Sequence, residues 1–118
     1  MHTVIETPTF LGDCRGAKLA DDDRLAMIDA IAEAPLEGEI IPGTSGARKR
    51  RFAGRGKGKR GGYRVISFYA GDDVPVLILA LIDKSERANI SKAERNTLRQ
   101  VLVTYAAEYR AAARRRKT

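Results

Sequence analysis

The chain has 118 residues, a formal net charge of +7 and hydrophobic residues at 43% of its positions. This length supports one modest core, so we expect a single domain over residues 1–118. Its one cysteine, Cys14, excludes an internal disulfide, and neither a membrane-spanning apolar run nor a signal-peptide pattern is present, so we expect a cytoplasmic protein.

The N-terminal part is predicted to hold one strand and two helices. Alternating apolar residues over 2–7 indicate a short strand that a proline ends. A short helix is predicted over 10–17 and a clearer one over 21–34, where Asp21 or Asp22 can cap the first turn. The following proline ends this second helix.

The middle of the chain is predicted to form three consecutive strands. Glycine and proline make residues 36–46 a loop. Residues 47–52 read as a strand in spite of their charge, and 54–62 as a basic, glycine-rich turn. The apolar, β-branched segments 63–69 and 74–82 are predicted to be central strands.

The final element is predicted to be a helix. Ser91 and Glu94 form the Ser-x-x-Glu capping box, in which each side chain accepts a hydrogen bond from a backbone N–H. An apolar stripe follows at helical spacing: Leu98, Val101, Leu102, Tyr105 and Tyr109. The order of elements indicates an α+β fold, with N-terminal helices, a largely antiparallel sheet and a C-terminal helix.

The positive charge is concentrated in one block. No acidic residue lies between Glu39 and Asp72. The basic residues in that interval are Arg48, Lys49, Arg50, Arg51, Arg55, Lys57, Lys59, Arg60 and Arg64. A block of one sign attracts polyanions, although many such runs are only solvated surface.

Several catalytic arrangements are excluded by residue content. His2 and Cys14 are the only histidine and the only cysteine, so neither a zinc cluster nor a Cys–His pair can form. The glycine-rich turn lacks Gly-Lys-Ser or Gly-Lys-Thr and leads into a strand, which excludes a phosphate-binding P-loop.

Strand alternation divides the basic residues between two faces. It places Arg48 and Arg50 on one face, and Lys49 and Arg51 on the other. Arg64 is expected to border the same sheet surface as the basic residues before it, where guanidinium groups can hold a phosphodiester. Tyr63, Phe68 and Tyr69 are candidates for stacking on a base, although core packing better explains Phe68 and Tyr69. The residues therefore predict a basic protein that binds RNA.

Five segments together resemble the RelE-type toxin superfamily, and in particular its HigB-like branch. The central ones are IPGTSGARKRRF at 41–52, GK at 56–57 and GGYRVI at 61–66. IETPTF at 5–10 and DKSERANIS at 83–91 also resemble that branch. The resemblance covers nearly the whole chain.

The resemblance implies a fold, an activity and a partner. The fold is two N-terminal helices on a curved antiparallel sheet, closed by a C-terminal helix. The activity is cleavage of mRNA on the ribosome by a metal-independent endoribonuclease without a cofactor. The partner is a cognate antitoxin that silences the toxin and is expected to carry a helix-turn-helix region.

The resemblance also implies roles for individual residues. Arg64 corresponds to the phosphate-stabilising arginine, Lys49 and Arg51 to the basic pair on the preceding strand, and Lys84 to the lysine after the next strand. Ile82 stands where the family often has a tyrosine. The residues expected to bind RNA are Arg48, Arg50, Arg55, Lys57, Lys59, Arg60 and Tyr63.

The chemistry requires little from the protein beyond charge and positioning. The RNA 2′-hydroxyl attacks the adjacent phosphate, so the nucleophile belongs to the substrate, and the protein stabilises charge and moves protons. Because neighbouring positive charges disfavour a protonated amine, Lys49, Lys57 and Lys84 are candidate proton donors or acceptors.

Three alternatives stay open at this point. The chain could be a non-catalytic RNA- or DNA-binding module, or a degenerate toxin-like protein that binds a partner. In addition, Arg64 could merely pair with an acid such as Asp83 at the sheet edge.

Overall fold

The computed structural model describes residues 2–53, 62–83 and 90–116. Within these ranges the elements are β1 (Val4–Glu6), α1 (Pro8–Gly16), α2 (Asp21–Glu33), β2 (Glu39–Ile40), β3 (Ala47–Ala53), β4 (Gly62–Phe68), β5 (Val76–Asp83) and α3 (Lys92–Arg116). No helix in the described part of the chain is long and apolar enough to cross a bilayer.

The strands form one mixed sheet in the order β1-β5-β4-β3-β2. The β2–β3, β3–β4 and β4–β5 pairs are antiparallel, whereas β1 pairs with β5 in parallel. The predicted α+β class with a largely antiparallel sheet is confirmed. The segment predicted as a loop over 36–46 contains the short strand β2, which pairs with Arg48 and Lys49.

Each face of the sheet carries its own buried cluster. On the first face, which we call the helix-pair side, Phe10 of α1 and Met27 of α2 are in one buried cluster with Val65 of β4. On the second face, the α3 side, Leu102 of α3 is in a cluster with Ile66 of β4. The two-sided burial explains why β4 and β5 read as nearly continuous apolar runs.

The sequence predicted capping residues for α2 and α3, and only the prediction for α3 is confirmed. The capping box of α3 is confirmed, because Ser91 N donates to Glu94 Oε1 at 2.9 Å and Glu94 N donates to Ser91 Oγ at 3.1 Å. The predicted capping of α2 by Asp21 or Asp22 is wrong: Ala20 is the N-cap residue and no side chain caps it. Both aspartates lie inside the first turn, where their charge still favours the positive end of the helix.

The apolar stripe of α3 is only partly buried. Leu98, Leu102 and Tyr105 pack on the α3-side cluster, but Val101 is 50% exposed. The Tyr105 hydroxyl donates to Pro75 O at 2.8 Å and so anchors the helix to the segment before β5.

Candidate functional site

The register between β3 and β4 brings three of the predicted catalytic residues onto one face. Arg51 is directly paired with Arg64, and Lys49 with Ile66. Paired residues of neighbouring strands point to the same face, and Ile66 belongs to the α3-side cluster. Lys49, Arg51 and Arg64 therefore all lie on the α3 side, and Lys49 and Arg51 share a face, as expected from strand alternation.

Arg64 is held between two strands. It is paired with Arg51 of β3 on one side and with Ile82 of β5 on the other. Its Nε is buried, and within the described residues this nitrogen has no hydrogen-bond partner. A buried donor left without a partner costs about 1–3 kcal/mol, so this nitrogen is held at a cost to the stability of the fold.

The alternative that Arg64 pairs with Asp83 is not supported by the register. Asp83 is paired with Tyr63, one position away from the Arg64–Ile82 pair, so its side chain points to the opposite face. Among the described residues, no carboxylate forms an ion pair with Arg64.

The other two arginines of β3 lie on the helix-pair side and make structural contacts. Arg50 Nη1 donates to Ala30 O at 3.1 Å, Nη2 lies 3.0 Å from Glu37 Oε2, and the guanidinium carbon is 5.1 Å from the centre of the Phe52 ring. Arg48 Nη1 donates to Gly38 O at 3.3 Å. These contacts tie β3 to α2 and to the segment before β2, away from Arg51 and Arg64.

Tyr63 also lies on the helix-pair side. Its side chain is only 5% exposed and belongs to the same buried cluster as Phe10 and Met27. A ring packed in this way has no free face for stacking on a base. The sequence did not indicate this burial, because both faces of β4 carry apolar side chains and the pattern does not show which face is covered.

The remaining predicted site residues lie outside the described ranges: Arg55, Lys57, Lys59, Arg60 and Lys84. The residues next to them are described. Ala53 is paired with Gly62, and Tyr63 with Asp83. The residues that border these segments, Ala53, Gly62 and Asp83, therefore lie at the end of the sheet where Arg51 and Arg64 are found.

The histidine and the cysteine are engaged elsewhere. His2 Nε2 lies 3.1 Å from Asp72 Oδ1 and Nδ1 lies 3.1 Å from Ala32 O. Cys14 is buried on the helix-pair side, and burial raises the pKa of its thiol to about 11. In the described ranges, no group of three or more His, Cys, Asp or Glu side chains is placed to hold a metal ion.

Comparison with known protein families is consistent with this geometry. The family model described as the RelE toxin of the RelE / RelB toxin-antitoxin system matches residues 3–115. The match includes every described strand and all but the last residue of α3. The chain belongs to the RelE toxin family.

Proposed function

We propose that this protein is the toxin of a type II toxin–antitoxin pair and that it inhibits translation by cleaving mRNA on the ribosome. Membership of the RelE toxin family supports this proposal. We place the chain in the HigB-like branch on its segments 41–52 and 61–66. In this proposal it acts in the cytoplasm, without a metal or cofactor, and is silenced by an antitoxin that carries a helix-turn-helix region.

The observation that carries the proposal is the cross-strand pair of Arg51 and Arg64. Like charges placed directly opposite each other destabilise a sheet by roughly 0.2–1 kcal/mol. Within the described residues neither arginine has a carboxylate partner, and the buried Nε of Arg64 has no acceptor. A phosphodiester would offset the repulsion, since guanidinium groups bind phosphate with fork geometry.

Cleavage at this pair needs no nucleophile from the protein. The RNA 2′-oxygen forms a bond to the adjacent phosphorus, and the bond from phosphorus to the 5′-oxygen breaks. The products are a 2′,3′-cyclic phosphate and a free 5′-hydroxyl. One proton leaves the 2′-hydroxyl and one reaches the departing 5′-oxygen. We assign these two proton transfers to Lys49 and Lys84. Arg64 stabilises the charge that develops on the phosphate.

The basic residues divide into two roles in this proposal. Arg51, with the basic residues of the 54–61 segment, holds the RNA backbone beside the reacting phosphate. Arg48 and Arg50 instead keep β3 in place through their contacts with Gly38 and Ala30. Tyr63 supports β4 from the helix-pair side rather than stacking on a base.

The proposal is tested by replacing Arg64 and measuring mRNA cleavage on purified ribosomes. Loss of one preorganised charge donor typically lowers the rate about 10²–10³-fold, and we expect this for Arg64→Ala. Arg64→Lys keeps the charge but loses the fork, and should recover part of the rate. Arg15→Ala, which removes an exposed arginine of α1, is the matched control and should cleave like the wild type.

Three results would contradict the proposal. A folded Arg64→Ala protein with wild-type cleavage would remove Arg64 from the site. RNA binding without any cleavage by the wild type would favour the non-catalytic binding module. Neither binding nor cleavage, together with tight association with the cognate antitoxin, would favour a degenerate toxin-like protein.

A further inference from the structure

A stripe of cations runs along one side of α3. Its members are Lys92, Arg99, Arg110 and Arg114. At about 100° per residue, these positions fall within roughly 60° of one another around the helix. The stripe is about 33 Å long, at about 1.5 Å per residue.

The charge of this stripe is largely uncompensated. Arg110 pairs with Asp73, its Nε lying 2.8 Å from Oδ2. Lys92, Arg99 and Arg114 are exposed, and within the described ranges they make no hydrogen bond or ion pair. The acidic residues of α3 do not offset them: Glu94 belongs to the capping box, and Glu108 lies about 160° away from Lys92 around the helix.

The direction of α3 joins the stripe to the Arg51–Arg64 pair. Ile90, just before α3, shares a buried cluster with Ile82, the β5 partner of Arg64. At the other end, Arg110 Nη2 donates to Ala70 O at 3.0 Å, beyond the opposite end of β4. Lys92 and Arg99 therefore lie nearer to the candidate site, and Arg110 and Arg114 farther from it.

An open groove lies between the stripe and the sheet. It has a volume of about 410 Å³ and is lined by Val103 and Ala106 of α3, by Phe68 and Tyr69, and by Ser45 before β3. Val103 is 57% exposed. From Ser45, the α3 side of β3 continues to Lys49 and then to Arg51. The groove is thus largely apolar, Arg110 contributes to its lining, and the basic residues of β3 lie beyond its Ser45 end.

We propose that the groove beside α3, at the Ser45 and Phe68 end of the sheet, is part of a binding track for single-stranded RNA that continues from the Arg51–Arg64 site toward Arg114. Arg99 and Arg114 hold the phosphates, and the apolar wall at Val103 takes a base. Sites for single strands combine a positive groove with apolar or aromatic walls in this way. The inference rests on the proposed function and names the path of its substrate.

The experiment measures binding of 2′-O-methyl RNA, which lacks the attacking hydroxyl and stays uncleaved. The variant is Arg99→Gln combined with Arg114→Gln, and the RNAs are about 12 and about four nucleotides long, inside the ~4–16 nucleotide range of single-strand sites. Each lost phosphate contact reduces the salt slope of log K by about 0.7. We therefore expect a slope smaller by about 1.4 for the longer RNA, and unchanged binding of the shorter one.

The matched control removes two positive charges from the other side of the molecule. Arg15→Gln is combined with Lys18→Asn, since Lys18 has φ +55° and asparagine tolerates that conformation. This control should keep the wild-type slope. An equal decrease of the salt slope in the control would overturn the track, because net charge alone would then explain the effect. A wild-type slope in the α3 variant would also overturn it.

Two further outcomes separate this inference from the proposed function. If the α3 variant binds RNA normally but loses affinity for the antitoxin, the groove is a protein-binding surface and the inference is wrong while the function stands. If the wild type binds neither RNA but cleaves mRNA on purified ribosomes, the inference fails and the proposed function stands; if it neither binds nor cleaves, both fail. Retained helix content and melting temperature in each variant confirm that α3 is intact.

Discussion

Arg51 of β3 and Arg64 of β4 are direct cross-strand partners on the α3 side of the sheet. Two cations in this position oppose folding, since like charges directly opposite each other destabilise a strand pair. The two arginines are therefore unfavourable for the free protein and favourable for binding a phosphate. Separating these two effects by substitution is the most direct check on the site.

The first prediction concerns Arg51→Gln. Removing one charge of the pair should raise the free energy of unfolding by about 0.2–1 kcal/mol while weakening RNA binding. Urea denaturation and RNA titration of the same preparation measure the two effects. The increase in unfolding free energy should be smaller at high salt, where charges on exposed groups are screened. A variant less stable than the wild type would show that Arg51 makes stabilising contacts and that repulsion does not dominate.

The second prediction assigns a structural role to Arg50. Arg50→Ala removes the donor to Ala30 O and the ion pair with Glu37. Hydrogen bonds involving charged groups contribute about 1.5–3 kcal/mol. Because Glu37 is exposed, its ion pair adds little, and we expect a loss of about 1–2 kcal/mol in unfolding free energy. The folded fraction should still bind RNA. A stable Arg50→Ala protein that no longer binds RNA would instead place Arg50 in the interface.

The third prediction concerns the glycine that lies against β3. Gly38 has φ +105°, and a Cβ there would lie 2.6 Å from Lys49 O, a backbone atom that cannot move aside cheaply. Gly43 has φ +81° and open space around it, so it serves as the control. Gly43→Ala should cost only the backbone strain, about 1–2 kcal/mol, and Gly38→Ala clearly more. Equal melting temperatures for the two variants would contradict the close approach.

The fourth prediction is a pH dependence. The hydrogen bond from Arg110 holds the pKa of Asp73 below its usual value of about 3.9. A lowered pKa stabilises the fold above that usual value, and the stabilisation is lost as the pH falls through the lowered one. Asp73→Asn should therefore melt below the wild type at neutral pH, and the difference should vanish in acid.

The control for the pH experiment is Asp29→Asn, on the exposed side of α2, where the described residues provide no hydrogen bond or ion pair for the carboxylate. Its melting temperature should follow the wild type at every pH. A difference between Asp73→Asn and the wild type that persists at low pH would mean that the ion pair with Arg110 is not its source.

Local patterns in the sequence predicted most of the elements. The Ser91–Glu94 capping box located the start of α3, and apolar β-branched runs located β4 and β5. The capping of α2 was assigned to the wrong residue because three consecutive aspartates offer equivalent side chains. The two-residue strand β2 has too little pattern of its own and exists only through its pairing with Arg48 and Lys49.

The candidate site could be predicted only in part. Alternation along β3 separates Lys49 and Arg51 from Arg48 and Arg50, because successive side chains of a strand point to opposite faces. Which face meets α2 and which meets α3 depends on contacts between distant segments, such as Arg50 with Ala30. The burial of Tyr63 and the track beside α3 depend on the same long-range packing.

The sequence by itself determined the class of fold, the basic block and the family resemblance, because periodicity, charge and spaced motifs are local properties of the chain. Only the tertiary structure decided that Arg51 faces Arg64, that β1 joins β5 in parallel and that α3 packs on the face of the sheet that carries Ile66 and Ile82. The physical reason is that strand register and helix docking are set by the simultaneous burial of both faces of the sheet. No short segment contains that information.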